Sequence, residues 1–331
     1  ISSMKSNEYL KSKAITLLPM LSIGITFGLA GILFGRFIIP ANTTGQPTPA
    51  VTSDKQSGIN STNKKTFIVF GDSGTASPEQ KKLAARLETE NPEAFFHTGD
   101  LVYNDGKPDE ILQNYAAIYS EKIKKKFYPS PGNHDYNTNN AQPYLDFFDL
   151  PKQALNSADN ERYYSVSFDT LHFIMLDSNL PLKDASDARQ DDMIDWLRKD
   201  LTSNTSKKSI VIFHHPYYTG NSKHSPNELV KEKIIPVLDE FKVPLVLNGH
   251  NHNYMRSCKI TQDQCAEQGV TYIVTGGGGA DLYDFKEPAP FYSKVREKRY
   301  NYVRLTYSSN TIAGEAIDID GTVFDTFSLQ L

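Results

Sequence analysis

The 331-residue sequence is poor in cysteine, tryptophan and histidine and carries no excess of positive charge. Two cysteines cannot build a disulfide scaffold or a thiolate zinc cluster. A formal net charge of −4 argues against a protein that coats nucleic acid, so no nucleic-acid partner is expected. Hydrophobic residues at 39% and charged residues at 22% exclude wholesale disorder and imply a packed core. Eight histidines are few enough to be accounted for one by one. Long uncharged apolar runs are missing too, with one exception.

That exception is Ile15 to Gly35, 21 residues without a charge. A bilayer core of ~30 Å needs about 20 such residues in a helix, so the run is long enough to span. Lys5, Lys11 and Lys13 precede it and only Arg36 follows closely, which places the N-terminus in the cytoplasm and the rest outside. A cleaved signal peptide is the rival, but the run exceeds a usual h-region. The expectation is a single-pass membrane protein: a cytoplasmic segment over 1–14, an uncleaved signal anchor over 15–39 and an extracytoplasmic remainder. From Pro40 to Lys64 Thr, Ser, Asn, Gln, Gly and Pro dominate, the composition of a flexible linker. Residues 65–331 form the head, in which no internal repeat is found.

In the head, strands and helices alternate. Apolar, β-branched or aromatic runs predict strands at Thr66–Phe70, Ala94–His97, Lys126–Tyr128, Tyr163–Phe168, His172–Leu176, Ser209–Phe213, Pro244–Leu247 and Thr271–Thr275. Helical periodicity covers Pro78–Glu90, Ile111–Ile123, Asp191–Leu201 and Glu228–Phe241. Tyr302–Tyr307, Thr311–Ile317 and Thr322–Leu329 read as a closing meander. The fold class is therefore α/β, a layered sandwich with an antiparallel contribution.

Ligands gather beyond the carboxyl ends of strands in such folds, and the unusual residues sit there. Five strand ends carry Gly71-Asp72-Ser73-Gly74, Gly99-Asp100-Leu101-Val102-Tyr103, Gly132-Asn133-His134-Asp135, His214-His215-Pro216 and Gly249-His250-Asn251-His252. Two carboxylates, an amide oxygen, three imidazoles and a phenol make a hard-to-borderline ligand set suited to Fe, Mn and Zn. Each block alone is weak; their order and number carry the inference.

Taken in order, the blocks resemble the calcineurin-like metallophosphoesterase superfamily, and within it the purple acid phosphatases. That branch reads D-x-G, G-D-x-x-Y, G-N-H-[DE], V-x-x-H and G-H-x-H. Asp72-Ser73-Gly74, Gly99 to Tyr103, Gly132 to Asp135, Val211 to His214 and Gly249 to His252 complete all five. The resemblance spans Thr66 to about Gly279 and looks nearest the small tartrate-resistant acid phosphatase type. The wider superfamily has D-x-H in its first block; here Gly74 stands in place of that histidine and Tyr103 offers a phenolate, which favours trivalent iron.

The resemblance implies an α/β/β/α sandwich and two metal ions. Asp72, Asp100, Tyr103 and His252 would hold Fe(III). Asp100, as the bridge, with Asn133, His214 and His250 would hold Fe(II), Zn or Mn. It implies hydrolysis of phosphomonoesters by attack of a metal-bound hydroxide, with His134 beside the phosphoryl group and Asp135 orienting its imidazole. His224 lies ten residues after His214, one more than in the tartrate-resistant enzymes, so substrate-facing and plainly exposed readings both stand. The partner is a phosphoester, on a small molecule or a phosphoprotein, acted on by a monomeric head.

His97 and His172 read as packed residues. His215 should face away from its neighbour, because adjacent strand residues point to opposite faces. Cys258 and Cys265 close a short loop that an extracytoplasmic location would allow to be a disulfide; two free cysteines are the alternative. Phosphodiesterase or nucleotide hydrolase chemistry on the same core, and a non-catalytic metal-binding module, are the competing functions.

Overall fold

The computed structural model describes residues 64–180 and 188–331. The expected cytoplasmic segment, signal anchor and all of the linker but Lys64 lie outside the described residues. Among those described, no helix is long and apolar enough to cross a membrane.

Two sheets pack face to face. The first runs β14-β13-β12-β1-β2-β3, with β1 (Lys65–Phe70), β2 (Ala94–His97) and β3 (Phe127–Pro129) parallel. The antiparallel strands β12 (Asn301–Ser308), β13 (Thr311–Asp318) and β14 (Val323–Gln330) complete it. The second runs β11-β8-β10-β7-β6-β5-β4, with a short β9 beside β8. It comprises β4 (Tyr164–Phe168), β5 (Leu171–Met175), β6 (Lys208–Ile212), β7 (Leu245–Asn248), β8 (Tyr254–Thr261), β9 (Gln264–Cys265), β10 (Val270–Thr275) and β11 (Ser293–Glu297).

Alternation along the strands builds both faces of the second sheet. Phe173, Met175, Ile210, Ile212, Leu245 and Leu247 enter the core shared with the first sheet. There Phe173 stacks on Phe96, ring centroids 4.2 Å apart. Ile174, Val211 and Val246 point the other way. They pack with Met193, Trp196 and Leu197 of α5 (Ala188–Ser203) and Val237 and Leu238 of α6 (Ile235–Glu240). On the first sheet α1 (Pro78–Glu88) inserts Leu83 and Leu87.

Two expected helices are broken. Ile111–Ile123 becomes the single turn α2 (Pro108–Ile111), a wider turn over Leu112–Ala116 and α3 (Glu121–Lys124). Within the wide turn, the Asn114 amide donates to the carbonyls of Gly74 and Tyr103. Glu228–Phe241 likewise starts with a wide turn over Val230–Ile234 before α6, where Pro236 has no N–H for the regular ladder. A short α4 (Gln142–Phe147) follows β3. The strands β8 and β11 were not expected. Tyr254 opens β8 and is wholly buried, its hydroxyl donating to Asp325 at 2.6 Å. Cys258 and Cys265 are joined as a disulfide between β8 and β9.

Candidate metal centre

The five motif blocks all follow strands that run the same way: β1, β2 and β3 in one sheet, β6 and β7 in the other. Their carboxyl ends meet at one pole, across the seam between the sheets. Asp72, Asp100 and His250 adopt left-handed backbone conformations, φ 56°, 53° and 69°. That conformation is costly for a residue with a Cβ and clusters at functional sites. Here it turns each side chain inward immediately beyond its strand.

The seven expected donors converge. The Tyr103 hydroxyl lies 3.0 Å from Asp100 Oδ2, 3.4 Å from Asp72 Oδ1 and 3.0 Å from His252 Nε2. On the other side His214 Nε2 is 3.4 Å from Asp100 Oδ2, 3.0 Å from Asn133 Oδ1 and 3.2 Å from His250 Nδ1. The donors thus form two groups that share one carboxylate oxygen of Asp100. Backbone carbonyls hold two of the rings: His214 Nδ1 donates to Thr98 O at 3.0 Å and His252 Nδ1 to Asp281 O at 2.8 Å. With Nδ1 committed to a carbonyl, Nε2 of each ring is turned into the site, the nitrogen a metal would take there.

The electrostatics of the bare site point the same way. Burial and the adjacent Asp100 push Asp72 well above the usual carboxylate range, against the pull of His214. Burial and the Asp100 and Asp72 carboxylates push the Tyr103 hydroxyl well up. Burial alone would raise Asp100, but His214 holds it down, and the Asp100 charge lifts His214 to about 9 despite its burial. Two carboxylates and a phenol packed together, with no lysine or arginine among their hydrogen-bond partners in the described residues, are a donor set that a cation would satisfy. The residues present fit a pair of metal ions.

Two glycines make the closure possible. A Cβ at Gly132 would lie 2.2 Å from Asp100 Oδ1. At Gly74 it would meet Leu101 O at 2.0 Å, and the Gly74 carbonyl accepts the Tyr103 N–H at 2.8 Å. A histidine at position 74 has no room, and the tight turn it would occupy is what delivers Tyr103.

His134 is half-buried, its ring 4.5 Å from that of Tyr103 and its Nδ1 on Asn104 O at 2.7 Å. Asp135 does not orient it, contrary to expectation. The Asp135 carboxylate instead accepts from the backbone N–H of Leu101 at 3.0 Å and of Gly132 at 2.8 Å. It ties two ligand-bearing turns together, and burial with the nearby Asp100 lifts it to about 7. His224 comes into the site: its ring lies 4.1 Å from that of His250, and its N–H donates to Asn251 Oδ1 at 3.0 Å.

His215 does not turn away. Its ring sits 4.6 Å from that of His250 and its Nδ1 bonds Ser178 Oγ at 2.9 Å, because strand alternation ends with β6 at Ile212. With His214 and His250 it forms a second group of potential metal donors. Tyr283 stacks on His252, centroids 4.0 Å apart, and no motif announces it. Asn251, inside the last block, and Asn114 position neighbours through backbone contacts that no sequence pattern marks. His97 packs beneath, its Nε2 3.0 Å from Ser73 Oγ, and His172 pairs with Asp200 at 2.6 Å.

Comparison with known proteins adds an independent line. The family model described as calcineurin-like phosphoesterase matches residues 65–254, more than half of the chain. A second, iron/zinc purple acid phosphatase-like protein C, matches residues 269–326. The chain is 23% identical to the "Nucleotide pyrophosphatase/phosphodiesterase" of Hordeum vulgare, over 80% of this chain and 82% of that protein. It is 25% identical to purple acid phosphatase 21 of Arabidopsis thaliana, covering 72% of this chain and 56% of the relative. For the Arabidopsis protein called "Probable inactive purple acid phosphatase 1" the identity is 23%, with 80% and 49% covered. The chain therefore spans about half the length of the two Arabidopsis relatives. The purple acid phosphatase from yellow lupin seeds shares the fold, with a TM-score of 0.68 at 21% identity over 81% of this chain and 54% of that one.

Proposed function

The chain belongs to the calcineurin-like phosphoesterase family, and from that premise we propose that it is a membrane-anchored, extracytoplasmic acid phosphatase that hydrolyses phosphomonoesters. Asp72, Asp100, Tyr103 and His252 hold Fe(III). Asp100, Asn133, His214 and His250 hold Fe(II), Zn or Mn. The observation that carries this reading is the convergence of all seven donors into two groups sharing Asp100 Oδ2. A phenol in one group only supports iron there, since a hard anionic oxygen suits the trivalent ion. When bound, such a pair supplies Lewis acidity to the phosphoryl oxygens and lowers the pKa of a water.

The protein's own groups do the rest. With Nδ1 committed to Asn104 O, His134 has Nε2 free to meet a phosphoryl or leaving-group oxygen beside Tyr103. His224, held by Asn251, stands over His250 as a second contact for the same group. The anchor over 15–39 and linker over 40–64 tether a monomeric head.

The barley relative supports a second reading, a phosphodiester or nucleotide pyrophosphate bond as the one cleaved, because the alignment covers 82% of that protein. A non-catalytic module has its own support in the relative called inactive, but it leaves the complete donor set without a task. The test is metal-loaded full-length protein assayed against phosphomonoesters, a phosphodiester and a nucleoside triphosphate. Fastest turnover of monoesters is expected. Preference for the diester or pyrophosphate bond selects the second reading, and no hydrolysis of any selects the module.

A further inference from the structure

We propose that the pole of the head opposite the metal centre is a binding surface for the anionic headgroups of membrane lipids. The parallel strands start at this pole, and lysines stand at their starts: Lys65 opens β1, Lys126 precedes β3, Lys208 opens β6 and Lys242 precedes β7. Lys259 on the antiparallel β8 is level with them, because it pairs with Thr271, which in turn pairs with Leu245 at the start of β7. The two sheets are joined here. Lys65 pairs with Asp169 at 2.5 Å, and the neighbouring Thr170 hydroxyl meets Tyr307 OH at 2.8 Å.

Some of these lysines are engaged. Lys124 pairs with Glu121, Lys126 donates to Pro92 O, and Lys207 to Ser167 and Asn204. Lys64, Lys125, Lys208, Lys242 and Lys259 are not: among the described residues their ammonium groups have no hydrogen bond or ion pair. Three of them, Lys208, Lys242 and Lys259, line one groove of about 500 Å³, in which Asp239 is the one acidic side chain. Other acids stand nearby: Glu267 shares a second cavity with Lys259, and Glu121, paired with Lys124, lies one turn before Lys125. Ammonium groups that outnumber the acids around them repel one another, and a surface rich in negative headgroups relieves that repulsion.

A lipid surface is favoured over a soluble anion by where the chain enters. The head begins at this pole, at Lys65, directly after the 25-residue linker of 40–64. A flexible chain of that length has a root-mean-square reach of about 25–30 Å. A span over 15–35 would hold the lysine pole toward the bilayer and turn the metal centre away from it. The orientation rests on the tethered reading above, and the experiment separates the two.

The single tryptophan, Trp196, is a native energy-transfer donor seven residues before the end of α5. That end leads into β6, so Trp196 lies about 10 Å along the helix axis from the lysine pole. Full-length protein is reconstituted with phosphatidylcholine vesicles carrying a dansyl-labelled lipid, with and without phosphatidylserine. Transfer from Trp196 is expected to rise with phosphatidylserine and to fall back at high salt. Each lysine near an anionic surface strengthens association about fivefold, so Lys208→Glu/Lys242→Glu/Lys259→Glu should abolish the rise and the glutamine series weaken it. Hydrolysis of a soluble aryl phosphate should be unchanged in both, which checks that they fold. Equal transfer on neutral and anionic vesicles, or a rise unaltered in the folded variants, overturns the proposal. Flotation with neutral vesicles reads the tether alone. If it fails there, salt-sensitive flotation with phosphatidylserine vesicles still supports the surface, and no flotation with either overturns it. Salt-sensitive retention on heparin without preference for anionic vesicles assigns the pole to a soluble polyanion and also overturns it.

Discussion

At the residue scale the centre turns on an exchange between Gly74 and Tyr103. The tight turn excludes a side chain at position 74 and hands its place among the donors to a phenol on the next turn. Iron bound there in the oxidised state is expected to give a visible phenolate charge-transfer band and a violet to pink protein. Tyr103→Phe should remove that band while the circular dichroism of the fold is retained; a colourless wild type that is active with zinc or manganese alone would refute the iron assignment. Asp100 and His134 lie 34 residues apart and touch through the His134 N–H to Asp100 Oδ1 bond of 2.9 Å, yet their substitutions should differ. Asp100→Asn removes the shared carboxylate charge, so metal content and hydrolysis should fall together. His134→Ala removes a group placed beside the substrate, so the rate should drop by ~10²–10⁴ with metal content kept. Metal analysis and rates on the same preparations distinguish the two.

Among the elements, the ends matter more than the middles. Helix α1 gives way at Thr89, and the largely buried Glu90 then reaches across to β12. There it accepts from Tyr302 OH at 2.7 Å and from Arg304 Nη2 at 2.5 Å. Burial opposes its charge, but the hydrogen bonds from Arg304 and Tyr302 prevail and hold it below the usual glutamate range. A group with a depressed pKa in the folded state stabilises above its unfolded value, and loses that contribution as pH falls through the folded one. Glu90→Gln should therefore cost about 1 kcal/mol at neutral pH. The gap to wild type should close as the pH drops below about 4.5. Denaturant unfolding at pH 7 and pH 3.5 checks this, and a gap of the same size at both would show that packing rather than charge links α1 to β12. The two wide turns teach a related lesson, since each departs from regular helix where something outside it intervenes: Asn114 reaching Gly74 and Tyr103, and Pro236 withholding a donor.

For the whole molecule the consequence is polarity along the strand direction. Candidate donors for metals gather at the carboxyl ends, and lysines at the starts. If the anchor and charge bias act as read, protease added to intact cells or spheroplasts should cut within Pro40–Lys64 and release an active soluble fragment. A head that stays protected until the membrane is broken would reverse the orientation.

The sequence by itself determined which candidate donors stand at the strand ends. Strand ends are local, and a glycine beside Asp, Asn or His after an apolar run is readable without knowing what it faces. The strands β1, β2, β3, β6 and β7 were legible for the same reason: short β-branched and aromatic runs bounded by turn residues. The strands β8 and β11 were not, because charged and polar residues interrupt their apolar runs. Only the tertiary structure decided which motif neighbours matter. It set Asp135 on two backbone turns rather than on His134, brought His215 and His224 against His250, and laid Tyr283 on His252. Each of these depends on how two sheets meet at a seam, a relation between distant segments that periodicity and spacing along one strand cannot encode.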